Sequence, residues 1–136
     1  MKDWVKDIRD MQFKYGVHKW IHDNKDNNDN LKRYLEFRID FLKEELDETE
    51  SALISMDSEE IVDGLIDLCV VAIGTLDAFG VDPYKAWDEV LKANLNKTVG
   101  VKPERPNPLG LPDLIKPEGW EGPSHEGNHG KLNDIR

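Results

Sequence analysis

Acidic side chains recur at helical spacing in two neighbouring segments of the sequence. Steps of three or four residues place Glu45 and Glu48 on one side of a first helix, and Glu60 and Asp63 on one side of a second. If the two helices run antiparallel, their acidic ends face each other. Like charges about 5 Å apart repel by about 3 kcal/mol at an effective dielectric constant of about 20, so this cluster requires a cation. Carboxylate oxygens bind hard ions, and the set predicts a Mg²⁺ site, with Mn²⁺ as a substitute.

Asp67 extends the second acidic row into the apolar run at residues 65–71. An unpartnered carboxylate in such a run is costly, so we expect Asp67 to bind the metal ion or to orient one of its ligands. The alternative for every acidic residue here is a solvated helix face. That alternative is weaker for the four key residues, because their rows continue into core-type residues. A solvated face is expected for Glu44, Asp47, Glu50 and Glu59.

Helices must position these side chains, and four segments show helical periodicity. We predict helices over residues 3–22, 31–54, 58–79 and 83–96. The connection between the second and third helices is short, so they should be antiparallel neighbours, with Asp57 or Ser58 capping the third. Gly80 should end the third helix, and Pro83 fits the first turn of the fourth. The sequence therefore predicts an all-α fold, an antiparallel four-helix bundle.

The composition changes at residue 100, after which the chain carries six of its seven prolines and many glycines. We therefore predict a helical domain at residues 1–99 and an irregular Pro/Gly-rich C-terminal tail at residues 100–136. The tail also contains apolar anchors, including Leu114 and Trp120. Docking of this tail on the helices or on a neighbouring subunit, and disorder of the tail, are both open at this point.

The overall charge excludes several functions. A formal net charge of −10 repels nucleic-acid phosphates, so no nucleic-acid partner is expected.

The longest apolar stretch, residues 65–81, is interrupted by Asp67 and Asp77, and it is shorter than the roughly 20 residues of a membrane span. No secretory signal is recognisable at residues 1–9, and the single cysteine, Cys69, suits a reducing compartment. We expect a cytoplasmic protein, in the host cytoplasm if it is viral, with no membrane partner.

The acidic residues also follow a known motif. The run Glu44-Glu45-Leu46-Asp47-Glu48 followed by Glu60-Ile61-Val62-Asp63 resembles the E-E-x-x-E … E-x-x-D signature of the MazG-like all-alpha NTP pyrophosphohydrolases. Residues 63–68 and 74–82 resemble the third helix and following turn of compact single-domain MazG-like proteins, many of them from bacteriophages. Residues 94–97 resemble the N-x-x-K at the end of the fourth helix. The similarity covers residues 11–97.

This resemblance implies a helical bundle that assembles as a homodimer or homotetramer. It implies cleavage of a nucleoside triphosphate, more specifically a deoxynucleoside triphosphate, between its α and β phosphates to give a monophosphate and pyrophosphate. The metal ligands of the family correspond to Glu45, Glu48, Glu60 and Asp63. Glu44 occupies the first acidic position of the signature, and in the family a residue at this position can assist rather than hold the principal metal.

Several side chains are candidates for roles beside the metal. Glu48 or Glu44 could accept the proton of the attacking water. Lys97 is expected to contact phosphate because of its motif, although a cation near a helix C-terminus is favourable in any helix. Arg38 is expected either to contact phosphate or to form a salt bridge with one of the metal-binding glutamates. Asn94 could bind a base edge or a sugar hydroxyl, or lie on the surface as an ordinary amide.

Two other functions compete with this prediction. The first is a non-catalytic helical interaction protein that keeps its acidic residues for solubility or for a basic partner, and it predicts no dependence on metal. The second is a dUTPase-like or phosphoribosyl-ATP-type pyrophosphohydrolase of the same superfamily, with the same metal cluster and a different base pocket. Substrate profiling separates these alternatives, because they differ in the nucleotide that each would hydrolyse.

Overall fold

The computed structural model describes residues 1–135, and most of them are helical. Within that part of the chain there are five α-helices, a two-stranded sheet and a C-terminal 3₁₀ helix. The α-helices are α1 (Trp4–Lys14), α2 (Val17–Asp23), α3 (Asn28–Ile54), α4 (Ser58–Ala78) and α5 (Pro83–Leu95). The strands are β1 (Thr98–Gly100) and β2 (Asp113–Ile115), and the 3₁₀ helix is Gly130–Asp134. The predicted predominance of helix is confirmed.

The predicted number of four helices is wrong, because the first predicted helix is two helices separated at Gly16. Gly16 has a φ of +80°, in the left-handed region where a side chain is unfavourable. The backbone N–H of Gly16 donates to the carbonyl of Phe13, and α2 begins at the next residue. The chain therefore changes direction after α1, and both α1 and α2 pack on α4.

The α3–α4 hairpin is the main element of the fold, and its turn is closed by hydrogen bonds at both helix ends. Two bonds end α3: the N–H of Met56 donates to Leu53, and that of Asp57 to Ala52. This is a Schellman motif with Met56, at a φ of 58°, in the place that glycine usually occupies. The Asp57 side chain then accepts from the N–H of Glu60 and caps α4, as predicted. Local side-chain chemistry thus fixes both ends of the turn.

The largest buried cluster lies where α2, α3 and the end of α4 meet. It consists of Ile21, Leu31, Ala78 and Phe79. Leu132 of the C-terminal 3₁₀ helix and Ile135, which follows it, pack at the edge of this cluster, and the N–H of Lys131 donates to the carbonyl of Phe79 at 2.7 Å. Residues 131–135 of the predicted irregular tail are therefore docked.

The chain divides into two compact units. One consists of Met1–Pro83 with the C-terminal residues from His129 onward, and the other is Tyr84–Asn128. Within the second unit, β1 pairs antiparallel with β2, and the indole N–H of Trp120 donates to the carbonyl of Ala93 at 2.7 Å. Much of the predicted tail is thus ordered around α5, whereas a domain boundary at residue 99 stays a prediction.

Several large apolar side chains on α3 and α4 are exposed in the single chain. They include Phe37, Leu46, Leu53, Val62, Leu65 and Ile66. Assembly into a dimer or tetramer stays a prediction. Across residues 1–135 no single helix is long and apolar enough to cross a membrane, although α4 and α5 counted together reach that threshold on length and composition alone.

Candidate active site

A close approach of α3 and α4 brings the two acidic rows together. Gly64 on α4 is buried, and a β-carbon at this position would overlap the hydroxyl oxygen of Thr49 on α3. The Thr49 hydroxyl itself donates to the carbonyl of Glu45 at 2.8 Å, which keeps its methyl group and hydroxyl in one orientation. Gly64 follows Asp63, and Thr49 follows Glu48. The two helices are therefore in close contact beside residues that carry carboxylates on both of them.

Glu45 is the electrostatic centre of this region. Its side chain is half-buried, and its pKa is raised above the ordinary value, first because burial removes solvent from the carboxylate. The negative charges of neighbouring carboxylates raise the pKa further. In decreasing order of effect these belong to Asp67, Glu48, Glu44 and Asp63. The structure therefore places Glu45 within electrostatic reach of four other predicted site residues from the two helices, whereas their roles in metal binding stay predictions.

Glu60, the fourth predicted ligand, is not among the carboxylates whose charges raise the pKa of Glu45. It lines an open groove of about 690 Å³ beside the α3–α4 turn, together with Glu44 and Glu48. Lys43 is the only lysine or arginine that lines this groove within the described part of the chain. Glu44 and Glu48 thus belong both to the carboxylate group around Glu45 and to the groove that contains Glu60.

The donor set fits a hard divalent cation, because it consists of carboxylate oxygens with no sulfur or imidazole nitrogen. Among residues 1–135, no three His, Cys, Asp or Glu side chains are close enough together to hold one ion in the arrangement described. Burial is the first cause of the raised pKa of Glu45, and the negative charges of its neighbours are the second; a bound cation would relieve that second effect. The site therefore has the composition of a Mg²⁺ site and charges of the sign that attracts one.

Arg38 lies two helical turns before Glu45 on α3 and points to α4. Its Nε atom donates to the hydroxyl of Thr75, and Nη2 donates to the carbonyl of Val71, both at 3.0 Å. The guanidinium carbon also lies 5.9 Å from the centre of the Phe41 ring. Within residues 1–135 Arg38 forms no ion pair, so the predicted alternative of a salt bridge to a site glutamate is not formed. A phosphate contact by Arg38 stays a prediction.

A buried polar network beyond Arg38 was not predicted. Gln12 on α1 is only 5% exposed, and its amide donates to the carbonyl of Gly74 at 3.0 Å and to a carboxylate oxygen of Asp77 at 2.8 Å. The Nε2 atom of His18 lies 2.8 Å from the same oxygen, outside hydrogen-bond angles, while its ring stacks on Phe13 at 3.7 Å. The one sequence signal was Asp77, a carboxylate in the apolar half of α4. This network ties α1 and α2 to α4.

Two predicted substrate-binding residues, Asn94 and Lys97, belong to the second compact unit. Asn94 is half-buried near the end of α5, and Lys97 follows that helix immediately before β1. The ammonium group of Lys97 lies 5.2 Å from the centre of the Trp120 ring. The roles of both residues in substrate binding stay predictions.

Comparison with known families gives a match to the central part of the chain. The family model described as phosphoribosyl-ATP pyrophosphohydrolase matches residues 16–94, which is more than half of the 136-residue chain. The matched region contains every predicted site residue except Lys97, which lies three positions beyond its end. A search of curated proteins found no match.

Proposed function

Since the chain belongs to the phosphoribosyl-ATP pyrophosphohydrolase family, we propose that it cleaves a nucleoside triphosphate between the α and β phosphates. The products are a nucleoside monophosphate and pyrophosphate, and the preferred substrate is a deoxynucleoside triphosphate. Family membership indicates a pyrophosphohydrolase. The observation that carries the finer proposal is the group of carboxylates around Glu45, whose charges add to the effect of burial in raising the pKa of that residue and would attract a divalent cation.

The proposed metal is Mg²⁺, with Mn²⁺ as a substitute. The residues that would hold it are Glu45, Glu48, Glu60 and Asp63. Asp67 would bind the ion or orient one of its ligands. When bound, the ion supplies positive charge that neutralises the phosphates and the leaving pyrophosphate. Without it, this strongly acidic surface would repel the substrate.

The side chains of this chain have distinct roles in the proposed reaction. A water molecule attacks the α phosphorus, the bond from that phosphorus to the oxygen bridging the β phosphate breaks, and pyrophosphate leaves with the bridging oxygen. Glu48 or Glu44 accepts the proton of the attacking water. Both belong to the groove and to the carboxylate group around Glu45, so either carboxylate can serve as the base.

Substrate positioning is assigned to three further residues. Lys97 and Arg38 contact phosphate oxygens, and Asn94 binds the base edge or a sugar hydroxyl. Arg38 is already fixed by two hydrogen bonds to α4, which would reduce the entropy lost when it binds a phosphate. A guanidinium held in one orientation suits that role better than a mobile lysine.

Phosphoribosyl-ATP is a second candidate substrate, because it gives the matching family its description. Its hydrolysis breaks the same kind of phosphoanhydride bond and uses the same carboxylates. The two candidates differ in what must fit around the adenine ring. Measuring kcat/KM for phosphoribosyl-ATP beside each nucleoside triphosphate and deoxynucleoside triphosphate decides between them.

The carboxylate assignment is tested with charge-neutral variants. Glu45→Gln and Asp63→Asn should lower kcat by about 100-fold or more. Each substitution removes a negatively charged metal ligand while keeping the shape of the side chain nearly unchanged. Glu50→Gln, an exposed glutamate of the same helix, is the matched control and should retain activity. Circular dichroism checks that the helical content is unchanged. Undiminished turnover in both Glu45→Gln and Asp63→Asn would refute this site.

A further inference from the structure

A tight turn brings Trp120 back to α5. The sequence Pro117-Glu118-Gly119-Trp120 forms a turn in which the N–H of Trp120 donates to the carbonyl of Pro117 at 3.0 Å. Gly119 has a φ of +75°, the conformation that the third residue of a type II turn requires. The indole N–H of Trp120 then donates to the carbonyl of Ala93 on α5. This hydrogen bond holds the indole ring close to the C-terminal end of α5.

The two-stranded sheet brings two lysines to that ring. Thr98 of β1 pairs with Ile115 of β2 at one end of the sheet. Lys97 precedes β1 and Lys116 follows β2, so the two lysines lie opposite each other just beyond that end. The ammonium groups of Lys97 and Lys116 lie 5.2 Å and 5.1 Å from the centre of the Trp120 ring. Both distances are within the range of a cation–π interaction.

In the part of the chain that the structure describes, these two lysines are not paired with a carboxylate. Within residues 1–135, no acidic side chain forms an ion pair with Lys97 or Lys116, and Asp113 on β2 pairs instead with Lys102 and Arg105. Carboxylates do line an adjoining cavity beside the indole, but they leave the two ammonium groups unpaired. They belong to Glu89, Glu118 and Glu121. Two like charges at one aromatic ring repel each other, and an anion bound to both removes that repulsion.

We propose that Trp120 is a positioning residue for a pair of phosphate-binding lysines, and that Lys116 is the second member of the pair beside Lys97. The ligand class is a polyphosphate, in the first place the triphosphate of the substrate. The inference rests on the proposed function, in which Lys97 contacts phosphate, and extends it to two residues outside the family match, which ends at residue 94.

The test measures binding of inorganic tripolyphosphate by calorimetry, and KM and kcat for the preferred nucleotide, on the full chain. Trp120→Leu and Lys116→Met should each weaken tripolyphosphate binding and raise KM about tenfold, the effect of losing one charge-assisted hydrogen bond, with kcat unchanged. Trp120→Phe keeps an aromatic face for the two ammonium groups but loses the N–H donor to Ala93, so it should bind tripolyphosphate more tightly than Trp120→Leu does. Lys102→Met is the matched control, because that lysine already pairs with Asp113.

Equal losses in Trp120→Phe and Trp120→Leu would overturn the positioning role, because they would mean that Trp120 acts only through its bond to Ala93. Lys116 is exposed, so Lys116→Met reports on binding without disturbing the packing. Unchanged tripolyphosphate binding in Lys116→Met, with nucleotide hydrolysis intact, would refute the lysine pair and leave the proposed function standing. Conversely, tripolyphosphate binding that depends on Lys116, in a wild type that hydrolyses no nucleotide, would support the pair and refute the proposed function.

Discussion

Replacing Gly64 with alanine tests whether the close approach of α3 and α4 sets the geometry of the acidic site. The new β-carbon would overlap the Thr49 hydroxyl oxygen and lie 3.2 Å from the Thr49 β-carbon and 3.5 Å from its α-carbon. The hydroxyl cannot move away easily, because it donates to the carbonyl of Glu45. The helices must therefore separate locally, at the point where they carry Glu48 and Asp63.

Two opposing terms set the magnitude of this effect on stability. Inserting a methyl group into a packed contact costs about 1–3 kcal/mol. Replacing a helical glycine with alanine gains about 1 kcal/mol through helix propensity. The free energy of unfolding should therefore fall by about 1 kcal/mol. A shift of the carboxylates by a few tenths of an ångström should also lower kcat/KM by about tenfold, because catalysis depends steeply on position.

Urea unfolding and steady-state kinetics measure both effects, and Thr49→Ala provides the control. Combined with Thr49→Ala, which removes the nearest overlapping atom, Gly64→Ala should cost less than it does alone, giving a favourable coupling in a double-mutant cycle. If Gly64→Ala instead raises the free energy of unfolding by about 1 kcal/mol with unchanged kcat/KM, only helix propensity acts there and the reasoning is refuted.

Met56→Gly should raise the free energy of unfolding by about 1 kcal/mol, because glycine adopts the left-handed conformation without the strain of a side chain; a lower urea midpoint would contradict this. Gly74→Ala should lower the free energy of unfolding by about 2 kcal/mol, because the new β-carbon would displace the buried amide of Gln12. An unchanged melting curve would refute that contact. The N–H of Leu114 and, to a lesser extent, nearby cations lower the pKa of Asp113. Its contribution to stability is therefore complete above about pH 4 and lost as the pH falls through the folded-state pKa, so Asp113→Asn should flatten the acid limb of unfolding; an unchanged limb would contradict this.

The ends of the central hairpin were predictable because local chemistry determines them. The predicted helix at residues 58–79 corresponds to Ser58–Ala78, and the Asp57 cap forms as expected. The predicted helix at residues 31–54 ends at Ile54 as observed but begins three residues later than α3. The observed cap, Asn27, lies between the first two predicted helices. Caps and apolar periodicity act over a few residues, so a sequence alone reveals them.

The break at Gly16 was missed because apolar residues continue at helical spacing through it. The periodicity reports which face is buried, and α1 and α2 both bury a face against α4. A glycine inside a periodic segment was the available signal, and here it adopts a left-handed conformation that ends one helix and begins the next. Periodicity alone could not distinguish one long helix from two short ones.

Facing acidic rows could be predicted from spacing and the short turn, and the structure places Glu45 among carboxylates of both helices. The bond between Gln12 and Asp77 could not be predicted in the same way, since 65 residues separate the partners. The return of Trp120 to Ala93 joins residues 27 positions apart through a sheet of only three residues per strand. Such contacts depend on the assembled fold, and no local pattern specifies them.

The central claim is metal-dependent cleavage between the α and β phosphates. The most direct measurement incubates the purified chain with each nucleoside and deoxynucleoside triphosphate, with Mg²⁺ or with a chelator, and identifies both products. We expect monophosphate and pyrophosphate in equal amounts with Mg²⁺ and none with the chelator. Release of a nucleoside diphosphate and inorganic phosphate would contradict this claim, and so would equal turnover with the chelator present.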